Sequence, residues 1–430
     1  MRIAVLHAGG LGDLVLVETL LAGLREQHPE ARVELVCRAD VAETATLYAD
    51  PPDAVHAFDF NPYLWATPAE AFEPSARFLA TFTPGVVDLF VSAELQATWM
   101  SEILAAALVP SEAIFADPST LDRGTARIVV RMLDLQLYPH VRRLPRVPNE
   151  HELDRYARIV DGTRRLPRLR PLRRTMDDDE RPIVVFLLGS TELKRWPFER
   201  FSDACAALLP AAERALILVG SDAERPELEG FAQAEPARNF GVTTGGARDV
   251  ARIADVLANA GGYLGVDTGL AHLAAAYGVP GVTIYGGGHW PSYAPWATRS
   301  AGVVAPIPCF GCRWDCAFEH AYCVEAIPVD DVVHAFRAAL AAELPLVVEN
   351  EAYSAEERTI FDRASRVYRA AQADRAARFR AIIRLRDISE RYALRTRSRQ
   401  AGTSASLDDL TGRLTVAARR LGEASTAREG

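Results

Sequence analysis

Arg2-Ile3-Ala4-Val5-Leu6-His7-Ala8-Gly9-Gly10-Leu11-Gly12-Asp13 opens the chain with an apolar run and a glycine-rich turn, followed by a helical pattern from Leu14 to Gln27. A strand that passes into a helix through such a turn is the repeating unit of a parallel sheet. The unit recurs along the chain. Val33–Cys37 and Val86–Ser92 read as further strands. Arg164–Arg181, with Pro167, Pro171, a run of arginines and Asp177-Asp178-Asp179, reads as a linker. After it the alternation restarts: strands at Ile183–Leu188, Ala215–Val219, Tyr263–Val266 and Gly281–Tyr285, with helices at Phe198–Leu209, Ala247–Ala258 and Leu270–Tyr277. The pattern predicts an α/β protein of two doubly wound parallel-sheet domains, residues 1–165 and 182–345, joined by linker 166–181. Ligands of such sheets bind at the carboxyl ends of the strands, so a cleft between the two domains is the expected site.

The length of 430 residues fits two or three domains at ~150 residues each. Forty-eight Lys plus Arg against 57 Asp plus Glu give a net charge of −9, which argues against a nucleic-acid binder with a basic surface. No stretch reaches the ~18 apolar residues of a membrane span. Glycines and Asp13 interrupt the N-terminus before a signal-peptide core can form. A cytoplasmic location is therefore expected, and with it six cysteines outside disulfides. Residues 346–430 stand apart. Residues 351–400 hold 13 Arg against 7 Asp and Glu, and residues 354–396 carry a helical pattern. That segment suits either an anionic membrane surface or a packing and oligomer contact. Residues 401–430 read as a frayed end.

Four places could carry chemistry. Gly10-x-Gly12-x-x-Val15 lacks the third glycine of a dinucleotide fingerprint, and no acidic residue follows the second strand before Asp40. Asp13 is then the residue of interest, either a carboxylate facing the cleft or a complement to the helix dipole. Ser190, Thr191, Lys194 and Arg195 offer hydroxyls and cations for an anion, although such a cation pair also suits a solvated surface. Asp267-Thr268-Gly269-Leu270-Ala271-His272 places a strand end before a small-residue helix whose first amides can take a phosphate. An ordinary N-cap at Thr268 or Asp267, with His272 packed, is the plainer alternative. Cys309, Cys312, Cys316 and Cys323 could hold a structural zinc or iron through thiolates, or form a packed or redox-sensitive thiol cluster. Cys37 and Cys205 fall in apolar patterns and read as core.

In this order, Leu11-Gly12-Asp13, Lys194-Arg195-Trp196-Pro197, Val266-Asp267-Thr268-Gly269-Leu270-Ala271-His272-Leu273 and the cysteines followed by Ile327 to Val332 resemble glycosyltransferase family 9, the ADP-heptose:lipopolysaccharide heptosyltransferases. The resemblance spans about residues 1–340. It implies a GT-B fold of two Rossmann-like domains, acceptor on the first and nucleotide-sugar donor on the second, with inverting transfer that needs no metal. Carried over, Asp13 is the general base, kept ionised by the helix start. Lys194 and the amides of Thr268, Gly269 and Leu270 hold the departing diphosphate. Asp267 contacts the sugar, and Gly12, Ser190, Thr191 and His272 line the site. The family commonly shows Gly-Pro-Thr-Asp where this chain has Gly286-Gly287-Gly288-His289-Trp290-Pro291. Gly287, His289 and Trp290 are therefore candidates for a donor loop, with Trp290 or Tyr293 able to stack on a base or sugar. ADP-heptose is the implied donor, and a glycan, lipid-linked or protein hydroxyl the acceptor. A GT-B nucleotide-sugar epimerase or hydrolase, or an inactive sugar-nucleotide binding protein, is the alternative.

Overall fold

The computed structural model describes residues 1–349, apart from 65–67, 83–86, 96–97, 109, 117–140, 146, 148, 178–179, 209–214, 236–238, 246–248, 296, 309, 311, 313, 315, 317–320 and 342–345. Beyond residue 349 it describes Ala355, Arg358, Thr359 and Asp362. The helix expected over 354–396, those four residues apart, and the end expected to fray over 401–430 therefore lie outside the described residues.

The first sheet has the order β3-β2-β1-β4-β5-β6. Its strands are Arg2–His7 (β1), Arg32–Arg38 (β2), Ala54–Phe58 (β3), Leu89–Ser92 (β4), Glu112–Ala116 (β5) and Val141–Leu144 (β6), every neighbouring pair parallel. Strand β1 lies at its centre, with Ile3 opposite both Val33 and Leu89. Helices cover both faces there, so Ile3, Ala4, Val5 and Leu6 are all fully buried and the strand reads as one apolar run. Helix α1 (Leu11–Gln27) returns from it.

The second sheet has the order β13-β12-β11-β10-β7-β8-β9 and is also parallel throughout. Its central strands are Ile183–Phe186 (β7), Gly262–Val266 (β10) and Gly281–Tyr285 (β11). Leu216–Gly220 (β8) and Gly241–Thr244 (β9) flank one side, and Ser300–Val304 (β12) the other. The outermost strand, β13, is Leu346–Glu349, within the segment that the sequence reading gave to a helical extension. The apolar β-branched pair Val347-Val348 completes the sheet edge instead, with Ala301 opposite Leu346.

The two domains touch through apolar residues. Val15 and Leu47 of the first belong to the same buried cluster as Val184, Leu273 and Ala274 of the second. The linker is tied down as it crosses. Leu169 bridges Tyr48 antiparallel, and the Glu18 carboxylate accepts the Arg168 amide at 2.8 Å. Burial pushes Glu18 up to about 7, although the Arg168 amide acts against the shift. From the other side, residues just before and within the helix Glu152–Ile159 (α2) reach the second domain. The Glu152 amide donates to Ser292 O at 2.9 Å, and His151 Nε2 lies 2.8 Å from Ala294 O.

Candidate active site

Helix α1 begins directly behind the central strand of the first sheet, and Asp13 is its third residue. The Asp13 carboxylate turns back on its own helix start and accepts the Gly10 amide at 2.7 Å. Gly9 must be a glycine here, because a Cβ would fall on the Asp13 carboxylate and the His7 ring. Burial raises the Asp13 pKa. The Gly10 amide, His289 and Lys194 all pull it down and do not win, while Asp267 adds to the rise. The sequence reading expected the helix start to keep this carboxylate ionised. The amide does act in that direction, but removal of the group from water outweighs it.

Helix α3 (Gly269–Ala276) occupies the same position in the second sheet, behind β10. Thr268 is its N-cap residue, yet its side chain makes no capping hydrogen bond. The two helix starts touch. A Cβ on Gly269 would lie 2.7 Å from the Gly12 amide nitrogen, and one on Gly12 would lie 2.7 Å from the His272 ring. Glycine at both positions is what allows two backbones to meet across the domain boundary. His272 is buried there, and desolvation pushes it down to about 4, so it stands neutral at physiological pH.

Lys194 is buried, not solvated, which removes the surface-pair alternative. Its ammonium lies 2.8 Å from Asp267 Oδ2 and donates to Asp267 O at 3.2 Å. Burial alone would raise the Asp267 pKa, but Lys194 and His289 hold it below the ordinary carboxylate value. The lysine sits at the end of a short turn, Glu192–Lys194, whose start is capped by Thr191. The Thr191 hydroxyl accepts the Leu193 amide at 3.4 Å, so it serves the turn in this structure. Ser190 is exposed beside it. Asp13, Lys194, Asp267, His272 and His289 thus form one electrostatic cluster, and Gly12 and Gly269 form the seam beneath it.

The replaced loop divides. His289 enters the cluster, and burial lowers its pKa against the pull of Asp267. Trp290 packs on Tyr285 at 4.9 Å between ring centroids, beside Ala294 and Val304. Gly287 donates its amide to Cys323 Sγ at 3.4 Å. Cys309 lies outside the described residues. Among the described residues no three His, Cys, Asp or Glu side chains are grouped to hold a metal ion.

Sequence reasoning missed several neighbours. Glu94, just past β4, is fully buried. One of its oxygens lies 3.1 Å from Thr98 Oγ1, and the other has no hydrogen-bond partner among the described residues. Burial pushes its pKa up to about 8. The buried Arg155–Glu152 pair holds the Ala93 carbonyl beside it. Trp314 stands over Lys194 with its ring centroid 5.2 Å from the ammonium. A polar residue in an apolar run just past a strand end was the available signal for Glu94. For Trp314 the only local signal was its place between Cys312 and Cys316.

Residues 150–321 match the family model described as glycosyltransferase family 9 (heptosyltransferase). This segment belongs to glycosyltransferase family 9. The family 9 segment includes Lys194, Asp267 and His272, and Asp13 lies before it. Lipooligosaccharide heptosyltransferase 2 of Haemophilus influenzae is 33% identical over 132 residues, which is 30% of this chain and 38% of that relative. The match therefore spans well under half of the relative's length. Among solved structures, a family 9 glycosyl transferase from Veillonella parvula superposes with a TM-score of 0.58 at 17% identity, covering 79% of this chain and 97% of that one. E. coli ADP-heptose LPS heptosyltransferase II gives 0.58 at 15% identity, covering 79% and 99%. E. coli heptosyltransferase WaaC with ADP-2-deoxy-2-fluoro heptose gives 0.51 at 19%, covering 71% and 94%. The fold is shared with these structures: two facing parallel-sheet domains, the GT-B arrangement.

Proposed function

We propose that this chain is a glycosyltransferase that moves a sugar, with heptose favoured, from a nucleotide diphosphate to an acceptor hydroxyl with inversion and without a metal. The product would serve lipopolysaccharide or another cell-surface glycan or glycoconjugate. The observation that carries the reading is the meeting of Asp13 with Lys194 and the uncapped start of α3 across the Gly12–Gly269 contact.

The chemistry follows from that arrangement. The donor diphosphate lies at the start of α3, where the amides of Thr268, Gly269 and Leu270 and the helix dipole favour negative charge. Lys194 donates to the Asp267 carbonyl and pairs with its carboxylate, and an ammonium with three N–H donors can also serve a phosphate oxygen. As the bond from the anomeric carbon to the phosphate oxygen breaks, charge grows on the diphosphate where these donors already point. Asp13 takes the proton of the acceptor hydroxyl as its oxygen attacks the opposite face of that carbon. A raised pKa makes Asp13 a stronger base than an ordinary aspartate while it is ionised. Asp267 orients Lys194 and contacts the sugar. His272 and His289, neutral through burial, line the site without competing for the phosphate charge.

An apolar cavity of about 180 Å³ lies next to this centre, between Leu11 and Val41 of the first domain and Gly220, Gly245, Ile253 and Leu270 of the second. A flat heterocycle fits such a slot, and adenine is the base proposed for it. The acceptor is a hydroxyl of a glycan, a lipid-linked sugar or a protein, and we place the enzyme in the cytoplasm, at the inner face of the membrane. Among the described residues no helix is long and apolar enough to cross a membrane.

The test is a thermal-shift panel of ADP, UDP, GDP and TDP and their sugars, followed by transfer with the stabilising donor and NMR of the product anomer. The expected result is the largest shift with ADP or ADP-heptose, EDTA-resistant transfer and an inverted linkage. Sugar-nucleotide turnover at full rate without any acceptor would instead identify a hydrolase or epimerase.

A further inference from the structure

The sequence carries three consecutive glycines, Gly286-Gly287-Gly288, directly after the central strand β11. The structure shows what fills the space where their side chains would be. A Cβ on Gly286 would lie 2.5 Å from Trp314 Cη2, one on Gly287 would fall on the Phe310 ring, and one on Gly288 would fall on the five-membered side of the Trp314 indole. Gly286 and Gly288 leave a bare backbone ledge for the indole, and Gly287 leaves room for the Phe310 ring. Trp314 reaches it from the cysteine segment with φ of 61°, a left-handed conformation that L-residues rarely adopt and glycine adopts freely. Its indole N–H is also buried without a hydrogen-bond partner among the described residues. Two local costs thus fall on one residue, and the surrounding structure imposes both, which is the signature of a position held for function.

What the ring gains is Lys194. Its centroid lies 5.2 Å from the ammonium, within the range of a cation–π contact. Asp267 holds the same ammonium from another side. His289 meets the indole edge to face at 6.2 Å and belongs to the cluster around Asp13.

We propose that Trp314 is a positioning residue that acts through Lys194: seated on the Gly286–Gly288 ledge, its indole face holds the ammonium in place for the donor diphosphate. This inference rests on the donor reading of the site. An ammonium held between a carboxylate and an aromatic face loses the freedom to swing into solvent, so less ordering remains to be done when the diphosphate arrives. Any side chain at Gly288 would displace the indole.

The test is calorimetric titration of the full chain with ADP and UDP, together with acceptor kinetics, for wild type, Trp314→Phe, Trp314→Leu, Lys194→Ala and the Trp314→Leu/Lys194→Ala double variant. Trp314→Phe keeps an aromatic face and is expected to bind the preferred nucleotide about threefold more weakly than wild type. Trp314→Leu is expected to bind about tenfold more weakly, ~1.4 kcal/mol. Acceptor KM should stay unchanged in both. The double variant should bind no worse than Lys194→Ala alone, since the tryptophan acts only through the lysine. Additive losses in the double variant, or affinities within twofold of wild type in both Trp314 variants, would overturn the assignment. If Trp314→Leu does not fold, Trp314→Phe decides by itself, and wild-type affinity in it overturns the assignment. A wild-type protein that binds neither ADP nor UDP would sink the donor reading, and this inference with it.

Discussion

The two helix starts that meet at Gly12 and Gly269 are built alike and, in the proposed reaction, do opposite work. Each follows the central strand of a parallel sheet, and each needs glycine where it meets the other. Only the side chain at the first turn differs. Helix α1 carries a carboxylate there, and Asp13 occupies the Gly10 amide of its own start. Helix α3 carries none, and its N-cap Thr268 makes no side-chain hydrogen bond. In the proposed reaction one start supplies the base and the other receives the anion. One strand–turn–helix unit yields either chemistry, depending on whether its own side chain or a ligand satisfies the first amides.

The largest expected effect comes from breaking the carboxylate side. Asp13→Asn keeps the shape and should lower transfer by ~100-fold or more, with ADP affinity within a few-fold of wild type. Retained turnover in a coupled assay of nucleoside diphosphate release would remove the base assignment. Lys194→Ala breaks the other side and leaves Asp267 buried without its cation. Donor affinity and turnover should both fall, turnover by ~100-fold, and the melting temperature should drop as well. Unchanged kinetics would make the lysine a bystander.

Gly269→Ala attacks the contact itself. Its Cβ would press on the Gly12 amide and on Leu11, backbone and side chain that cannot both yield. We expect a loss of about 1–3 kcal/mol in denaturant titrations, with lower transfer. The comparison also has a pH signature. Protonated Asp13 is no base, so turnover should fall as pH drops through its raised pKa, above the ~3.9 of a free aspartate. A pH–rate profile whose acid limb starts only below that value would contradict the burial effect.

The effect farthest from the chemistry is expected at Glu94, on stability alone. Its carboxyl is pushed up to about 8 in the fold from 4.5. Stability from this group is therefore present below pH 4.5 and lost as pH rises through about 8, because the unfolded chain ionises first. Glu94→Gln should melt above wild type at pH 8, with the difference closing by about pH 5. A constant difference across that range would show that Glu94 is not held neutral.

Much of this arrangement was legible in the sequence. β1, β7, β10 and β11 are central and covered on both faces, so their apolar runs stand out from the polar segments around them. Short strands away from the sheet centres were not legible. In Ala54–Phe58, exposed and half-buried residues alternate and only Phe58 is buried. In Val141–Leu144, only Leu144 is buried. Both are set by neighbours already in place. The same holds for Leu346–Glu349, four residues that become a strand because β12 offers a free edge. Asp13, Lys194 and His272 could be named because each stands at a strand-to-helix turn. The loop residue Trp290 could be named as well, but only packing shows that it turns to Tyr285 while His289 takes the inward position.

The order of strands and helices, the glycine turns between them and the residue types at each turn follow from the sequence alone, because turn chemistry and hydrophobic period are local properties. Three things needed the assembled chain: the Gly12–Gly269 contact, the sign of the Asp13 shift and the indole of Trp314 over Lys194. Each depends on groups far apart in sequence, Gly12 with Gly269 and Lys194 with Trp314 among them. Burial and charge proximity are sums over everything that surrounds an atom, and those surroundings exist only once both sheets have closed on one another.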